Sequence, residues 1–217
     1  MSGALQAIFQ NQRSFIAPVP DIGAALGGGF FAGQISTAGN GTADYNLVIG
    51  PIASAQSTLR WKTANTSTTG TGSVIDGPSN SSAMNNADHP AAQFCEGLTI
   101  GGFSDWYMPA KQELEVCYYN LKPTTDNNVT NYGINPYSVP ARASNYTAGT
   151  PAQTSAATFQ TGNAEAFTTG TYYWSSTQNT STDAITIKFG VSQPGDQYAA
   201  SKTITSYRVR AVRRVAV

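Results

Sequence analysis

Charged side chains are scarce in this chain. Lys, Arg, Asp and Glu together make up 11% of its 217 residues, against roughly 25% in an average soluble domain. The 12 basic and 12 acidic residues cancel, so the formal net charge is zero. A neutral chain exerts no long-range attraction on nucleic acid or on anionic lipid. We therefore expect no nucleic acid among its partners.

Long apolar runs are missing as well. No stretch approaches the roughly 20 apolar residues of a membrane-spanning helix, and no basic cluster precedes an apolar run within residues 1–15. We expect neither membrane insertion nor a secretory signal. Aromatic residues make up 11% of a chain that is otherwise rich in Thr, Ser, Asn and Gln. This composition is typical of one folded domain with a real core and a neutral polar surface.

Histidine and cysteine are nearly absent. His89 is the only histidine, and Cys95 and Cys117 are the only cysteines. A Ser-His-Asp or Cys-His centre would have to be built on His89, which does not share a helix face with Cys95. The ligands of a zinc site and the oxygen cluster of a calcium site are both lacking. We predict no enzymatic activity, no cofactor and no metal, and the sequence leaves open whether the cysteines are bridged or free.

The first 29 residues differ from the rest and indicate an N-terminal arm ahead of a body at residues 30–217. Pro18 and Pro20 forbid a regular element there, and three glycines at 27–29 make a joint. The arm carries an apolar stripe of Leu5, Ile8, Phe9, Phe15 and Ile16. The arm cannot bury this stripe alone, so the stripe either packs back on the body or docks on another protein. Only docking would give the stripe a function, and in that case these five residues are the predicted binding site for a partner protein.

Patterns of apolar residues in the body predict the α+β class. Helical spacing predicts one helix from Pro90 and a second that opens at Pro109 and is stopped by Pro123. Residues 63–82 and 124–170 have little periodicity and are predicted as loops. Short segments rich in β-branched and aromatic residues predict strands at 30–35, 45–49, 59–62, 172–176, 184–189 and 207–213.

Four short motifs follow one another along the body. They are Ala91-Ala92-x-x-Cys95, Gly102-Phe103-Ser104-Asp105-Trp106-Tyr107-Met108-Pro109-Ala110-Lys111-x-Glu113-Leu114, Tyr173-Trp174-Ser175-Ser176-Thr177 and Val209-Arg210-Ala211-Val212-Arg213-Arg214. Their order resembles the Lcl C-terminal-like domain family over roughly residues 30–215. The resemblance implies a C-type-lectin-like fold, akin to that of the formylglycine-generating enzyme, with two helices and a twisted antiparallel sheet.

Domains of the resembling family occur at the tips of bacterial adhesins and in tail or fibre proteins of bacteriophages. A short arm, one such domain and no signal or anchor look most like a phage virion protein, made in the host cytoplasm. The resemblance implies a tail-fibre or tip protein, arranged as a homotrimer. We expect it to bind a host surface glycan or protein without catalysis, and other virion proteins through the arm.

Two loops near the last strands are the expected ligand site, because binding loops cluster there in the resembling fold. Their candidate residues are Gln178, Asn179, Gln193, Asp196, Gln197 and Tyr198. Amides and carboxylates form paired hydrogen bonds with sugar hydroxyls, and an aromatic ring covers the apolar sugar face. The Gln-Pro-Asp triplet of calcium lectins is not matched, because Gly195 stands in its third position.

A structural virion protein that serves only assembly or decoration, with no receptor role, is equally compatible with this composition. The motif residues themselves are expected to be mainly scaffold, with Trp174 in the core. Arg208 and Arg210 either face solvent or a ligand, or are buried and paired with Asp105 or Glu113.

Overall fold

The computed structural model describes residues 18–217. The predicted docking stripe of Leu5, Ile8, Phe9, Phe15 and Ile16 lies outside the described residues, so docking through these side chains stays a prediction.

Ten strands and four α-helices make up the described part of the chain, with one short 3-10 helix at Ala157–Phe159. The helices are α1 (Ile52–Ala55), α2 (Gly77–Ser82), α3 (Pro90–Glu96) and α4 (Lys111–Leu121). The strands are β1 (Ala25–Leu26), β2 (Gly29–Ile35), β3 (Tyr45–Ile49), β4 (Gln56–Thr58), β5 (Ser138–Val139), β6 (Thr171–Gln178), β7 (Asp183–Phe189), β8 (Ala199–Ser201), β9 (Arg208–Arg210) and β10 (Val212–Ala216). None of the described helices has the length and apolar character needed to cross a membrane.

The strands form two five-stranded sheets. Sheet A has the order β1-β2-β3-β10, with β5 also paired to β2, and sheet B has the order β4-β9-β6-β7-β8. All pairs are antiparallel except β6 with β9, which meet in parallel at Tyr173 and Arg208. Few helices and curled antiparallel sheets place the protein in the α+β class, which confirms that part of the expectation.

Helix α4 packs on β2 at a β-bulge. The bulge lies between Phe31 and Gly33, and Gly33 adopts a φ of 138° that an L side chain rarely takes. A Cβ at Gly33 would meet the side chain of Asn120 and would lie 2.8 Å from Val116 Cγ1. Asn120 Nδ2 donates to the carbonyl of Ala32 over 2.7 Å, which fixes the helix to the bulged strand.

The described core consists of two apolar clusters. One joins α4 to both sheets through side chains such as Leu114, Tyr173 and Phe189. The other surrounds three tryptophans, Trp61, Trp106 and Trp174, all of them buried. Cys117 belongs to the first cluster and Cys95 to the second; both thiols are buried and free, which settles the question that the sequence left open.

The last predicted strand, 207–213, is in fact two strands of different sheets. β9 pairs with β4 in sheet B, β10 pairs with β3 in sheet A, and Ala211 lies between them. The alternation of apolar and basic residues breaks at the change of sheet, where Ala211 and Val212 are adjacent apolar residues, and the prediction of one continuous strand overlooked this break. The predicted strand at 59–62 is also wrong: the strand is β4, and Trp61 and Lys62 follow it as buried side chains.

Part of the segment predicted as an arm is packed on the body. β1 pairs with β2 through a two-residue turn at Gly27 and Gly28, whose φ angles of 51° and 82° suit glycine. The amide of Gly23 donates to the carbonyl of Phe31 over 2.8 Å, and Ile22 packs against the first core cluster. The glycines at 27–29 therefore make a hairpin turn rather than a joint.

Candidate functional site

The two loops predicted to bind ligand do not offer all six predicted residues to one ligand. Gln178 and Asn179 lie at the turn between β6 and β7. The segment 193–198 follows the other end of β7 and runs back along it, so that Asp196 lies opposite Lys188 and Tyr198 opposite Thr186, in the middle of the strand. The prediction of a single six-residue site is wrong because Gln178 is used in internal hydrogen bonds and Gln197 is buried.

The side chain of Gln178 forms all its observed hydrogen bonds with other groups of the protein. Its Oε1 accepts hydrogen bonds from Lys202 Nζ over 2.6 Å and from the backbone amide of Thr68 over 2.7 Å. Its Nε2 donates to Ser67 Oγ over 3.3 Å. The amide thus ties the loop before α2 to sheet B. Asn179 is exposed and lies beside this structural contact.

Two buried lysines hold the same loop. Lys202 Nζ donates to the carbonyls of Thr66 and Ser181 as well as to Gln178, at 2.6 to 3.0 Å. Lys62 Nζ donates to the carbonyls of Thr66 and Ser67 and to the Thr68 hydroxyl, at 2.9 to 3.3 Å. Each ammonium therefore uses all three of its N–H donors: Lys62 uses them on the loop, whereas Lys202 joins the loop at Thr66 to Gln178 and Ser181 of sheet B and its turn. Burial, followed by the charge of Lys62, lowers the pKa of Lys202 to about 8.

Of the second loop, Asp196 and Tyr198 remain available at the surface. Gln197 is only 8% exposed and cannot meet a large ligand, so its assignment to the site is wrong. Gln193 is exposed and adopts a φ of 63° in the turn that follows β7. Tyr198 is one of the few large aromatic side chains at the surface of the described chain, with 51% of its area exposed.

Tyr198 belongs to a row of three tyrosines, which we call the tyrosine row. Tyr172 on β6 lies between Tyr207, next to β9, and Tyr198, next to β8. The Tyr172 ring centroid is 5.0 Å from that of Tyr207 and 5.9 Å from that of Tyr198. Tyr172 and Tyr207 are half-buried. The rings of Tyr207 and Tyr198 are tilted by 38° and 48° against that of Tyr172, so the row gives sheet B a stepped aromatic surface that is open at the Tyr198 end.

The tyrosine row rests on the core. Side chains alternate along a strand, so Tyr172 and Trp174 share one face of β6 while Tyr173 points into the first core cluster. The Trp174 ring lies 5.2 Å from that of Tyr207. Its Nε1 donates to the carbonyl of Leu59 over 3.0 Å, which fixes the indole beneath the row.

One acidic and one basic group border the tyrosine row. The Tyr172 hydroxyl donates to Asp196 Oδ2 over 2.8 Å, and Lys188 Nζ lies 5.4 Å from the centre of the Tyr172 ring. Burial, followed by the hydrogen bond to Asp196, raises the pKa of Tyr172; burial also raises the pKa of Tyr207. Their hydroxyls therefore stay protonated at neutral pH and act as both donors and acceptors.

This arrangement is suited to binding. An aromatic face takes apolar C–H surface, while protonated hydroxyls, a carboxylate and an ammonium at the rim can pair with hydroxyl groups of a ligand. Sequence reasoning named Asp196 and Tyr198 but missed Tyr172, Tyr207 and Lys188. Strand alternation places Tyr172 on the same face of β6 as Trp174. Only the sheet register brings Lys188 and Tyr207 beside Tyr172.

The groups that most often perform catalysis are committed to the fold. Burial raises the pKa of both cysteine thiols, which disfavours the reactive thiolate. His89 Nδ1 lies 2.8 Å from Asn86 Oδ1 and its Nε2 lies 2.9 Å from Thr68 Oγ1. Within residues 18–217, no group of three or more His, Cys, Asp or Glu side chains is placed to hold a metal ion.

Acidic side chains pair with the arginines near the C-terminus; of these acids Glu113 is buried, whereas Asp105 is exposed. The Glu113 carboxylate accepts from the Tyr107 hydroxyl over 2.6 Å and from the backbone amide of Ala110 over 2.8 Å. Three pairs join the C-terminal strands to the rest: Arg210 with Glu165 at 2.6 Å, Arg213 with Asp105 at 2.7 Å and Arg214 with Glu113 at 2.9 Å. Arg208 is half-buried, and Arg210 is buried as the second alternative had it, but its partner is Glu165. The predicted partners Asp105 and Glu113 are wrong for Arg210, because after the change of sheet β10 places Arg213 and Arg214 beside them.

Two of these pairs, Arg213 with Asp105 and Arg214 with Glu113, join residues of the four motifs, and most of the chain around them matches a family model. The model of the Lcl C-terminal domain matches residues 51–213, about three quarters of the chain. The chain belongs to this family. The match confirms the resemblance seen in the sequence, and in this Lcl C-terminal domain the motif residues Glu113, Trp174 and Arg210 are buried scaffold. Comparisons with curated proteins and with solved structures gave no significant match.

Proposed function

We propose that this protein is a bacteriophage tail-fibre or tip protein that recognises a host cell-surface receptor without catalysis. Of the two receptor classes expected from the sequence, glycan and protein, the tyrosine row favours a glycan. The observation that carries the proposal is the exposed ring of Tyr198 in line with Tyr172 and Tyr207, bordered by Asp196 and Lys188. We further propose that the two curled sheets are a C-type-lectin-like fold.

A glycan suits this surface for two physical reasons. A pyranose ring has an apolar C–H face that covers a tyrosine ring, and equatorial hydroxyls that reach polar groups at the rim. The chain as a whole carries no net charge, so recognition rests on short-range contacts rather than on long-range attraction. Both features fit weak sites that are used in several copies.

Several copies are the natural setting for such a site. In the proposed homotrimer, weak sites that engage together gain roughly 10² to 10⁴ in avidity if they can be occupied at once. The apolar stripe Leu5, Ile8, Phe9, Phe15 and Ile16 is proposed to dock the protein on another virion protein. The proposed place of action is therefore the virion.

A competition experiment tests the proposal. The purified full chain, added to the host bacterium before the phage, is expected to block adsorption in a dose-dependent way. The Tyr198→Ala variant should compete roughly tenfold less well, because an aromatic contact contributes about 1 kcal/mol or slightly more. Tyr137→Ala is the matched control, since Tyr137 lies beside β5 in sheet A.

The outcomes separate the two functions considered. Loss of competition by Tyr198→Ala but not by Tyr137→Ala supports receptor recognition through the tyrosine row. No competition by the wild-type chain at any workable concentration would instead support a protein of assembly or decoration. Cleavage or release of sugar from the host surface would contradict the non-catalytic role.

A further inference from the structure

A pocket with a volume of about 310 Å³ lies away from the tyrosine row. It opens between the last turns of α4 and the loop that follows β5. Ser144, Asn145, Thr147 and Thr150, all exposed, form its polar wall, and Tyr119 and Arg142 form its other side. Its volume is at the lower end of the roughly 300–1,000 Å³ of small-molecule sites. A single ring therefore fits better than an extended chain.

The loop that forms this pocket is held in place by backbone pairing. Asn135 and Arg142 exchange two backbone hydrogen bonds of 2.9 Å, and Thr147 and Thr150 exchange two more of 3.0 and 3.2 Å. Tyr146, between them in sequence, is 4% exposed and donates its hydroxyl to Glu115 Oε1 over 2.6 Å. The polar wall is thus preorganised, which reduces the entropy lost when a ligand binds.

The floor of the pocket carries no net charge. Arg142 forms an ion pair with Glu115, a carboxylate that is fully buried on α4. The guanidinium also lies over the Tyr119 ring, with its central carbon 4.0 Å from the ring centroid. A ligand therefore meets a neutralised arginine and hydroxyl and amide groups, which favours an uncharged partner.

Arg142 has a donor that the described chain does not use. Its Nε–H is buried and has no hydrogen-bond partner within residues 18–217. Buried polar groups are nearly always paired, and an unpaired donor costs free energy that a ligand acceptor would recover once the side chain turns its Nε–H toward the pocket. The planar guanidinium is suited to a pair of neighbouring oxygens.

We propose that this pocket is a second carbohydrate subsite, which takes one neutral hexose ring through adjacent hydroxyl groups. Arg142 donates to the ligand oxygens, and Ser144 and Asn145 bind hydroxyls on the opposite wall. The choice of a sugar as ligand rests on the proposed function, whereas the position of the subsite rests on the pocket itself.

Saturation-transfer NMR with the full chain tests the subsite. The probes are glucose, galactose, mannose and N-acetylglucosamine at millimolar concentration, with glucuronate as the charged comparison. At least one neutral sugar is expected to bind. Asn145→Ala and Arg142→Lys should each weaken that binding roughly fivefold or more, since each removes a hydrogen bond or its geometry. Asn179→Ala is the matched control, an exposed loop asparagine outside the pocket, and thermal unfolding confirms that every variant is folded.

Each outcome bears on the proposal. Weakening by Asn145→Ala and Arg142→Lys, with Asn179→Ala unchanged, supports the subsite. Weakening by Tyr198→Ala alone would overturn it while leaving receptor binding by the tyrosine row intact. Tighter binding of glucuronate than of any neutral sugar would overturn the neutral class of ligand. No binding of any neutral sugar would overturn the subsite, and the adsorption experiment above would still decide the proposed function separately.

Discussion

Protonation of His89 should destabilise the loop held by the two buried lysines. The ring is 4% exposed, and its Nδ1 faces the side-chain oxygen Oδ1 of Asn86, which also accepts from the backbone amide of Asp88. Nδ1 must therefore carry the proton, and Nε2 accepts from the Thr68 hydroxyl. That hydroxyl oxygen in turn accepts from Lys62. A protonated ring could no longer accept from the Thr68 hydroxyl, which would have to turn its proton away, and would add a third cation beside Lys62 and Lys202.

The direction and size of the effect follow from the pKa. Burial, followed by the charge of Lys62, lowers the pKa of His89 from 6.5 to about 4. Because the folded pKa lies below the unfolded one, this contribution to stability is complete above pH 6.5 and is lost as the pH falls through 4. Allowing for partial solvent screening, we expect a loss of about 2 kcal/mol. In a domain of this size that corresponds to a fall in Tm of roughly 4 to 8 °C.

The measurement compares thermal unfolding of the wild type and of His89→Gln at neutral pH and at about pH 4.5, between the two pKa values. Carboxyl groups titrate in both proteins and cancel in the comparison. The wild type should lose several degrees more than the variant, and NMR titration of this single histidine should give a pKa near 4. An equal loss in both proteins, or a pKa close to 6.5, would refute the reasoning.

Two further predictions concern the scaffold. Gly33→Ala should lower the free energy of unfolding in urea by about 2 kcal/mol or more, because Gly33 has a positive φ and an added Cβ would collide with α4. Gly72→Ala is the control, since a Cβ there would lie in open space, and it should change the free energy of unfolding little. Equal effects of the two substitutions would contradict the account of the bulge. Lys202→Met should speed hydrogen exchange of the amides at 66–68, whereas Lys188→Met should not; unchanged exchange in both variants would show that the buried ammonium does not hold the loop.

Much of the secondary structure could be predicted, because it depends on local periodicity. The apolar face of α4 and the strands β2, β3, β6 and β7 agree with the pattern to within two residues at each end. The adjacent apolar residues Ala211 and Val212 mark a break in the last strand, but the change of sheet itself could not be predicted, since alternation shows which way side chains point and not which strand lies alongside. The short helix α2 was missed because its Gly-Pro-Ser-Asn-Ser-Ser sequence has no apolar spacing.

The candidate site was harder to predict than the fold. Amide-rich composition does not distinguish a free glutamine from one that is fixed to the scaffold, so Gln178 and Gln197 were assigned to the surface wrongly. The tyrosine row depends on register across several strands. Tyr172 and Tyr207 are 35 residues apart in sequence, and only the parallel contact of β6 with β9 brings their rings to 5.0 Å.

The most direct test of receptor binding is the affinity of the full chain for polysaccharide purified from the host surface, measured on a biosensor for three proteins. Tyr198→Ala should bind roughly tenfold more weakly than the wild type, as expected for loss of one aromatic contact, and Tyr137→Ala should bind as the wild type does. Equal affinity of the wild type and Tyr198→Ala would contradict the claim that the tyrosine row is the receptor-binding surface.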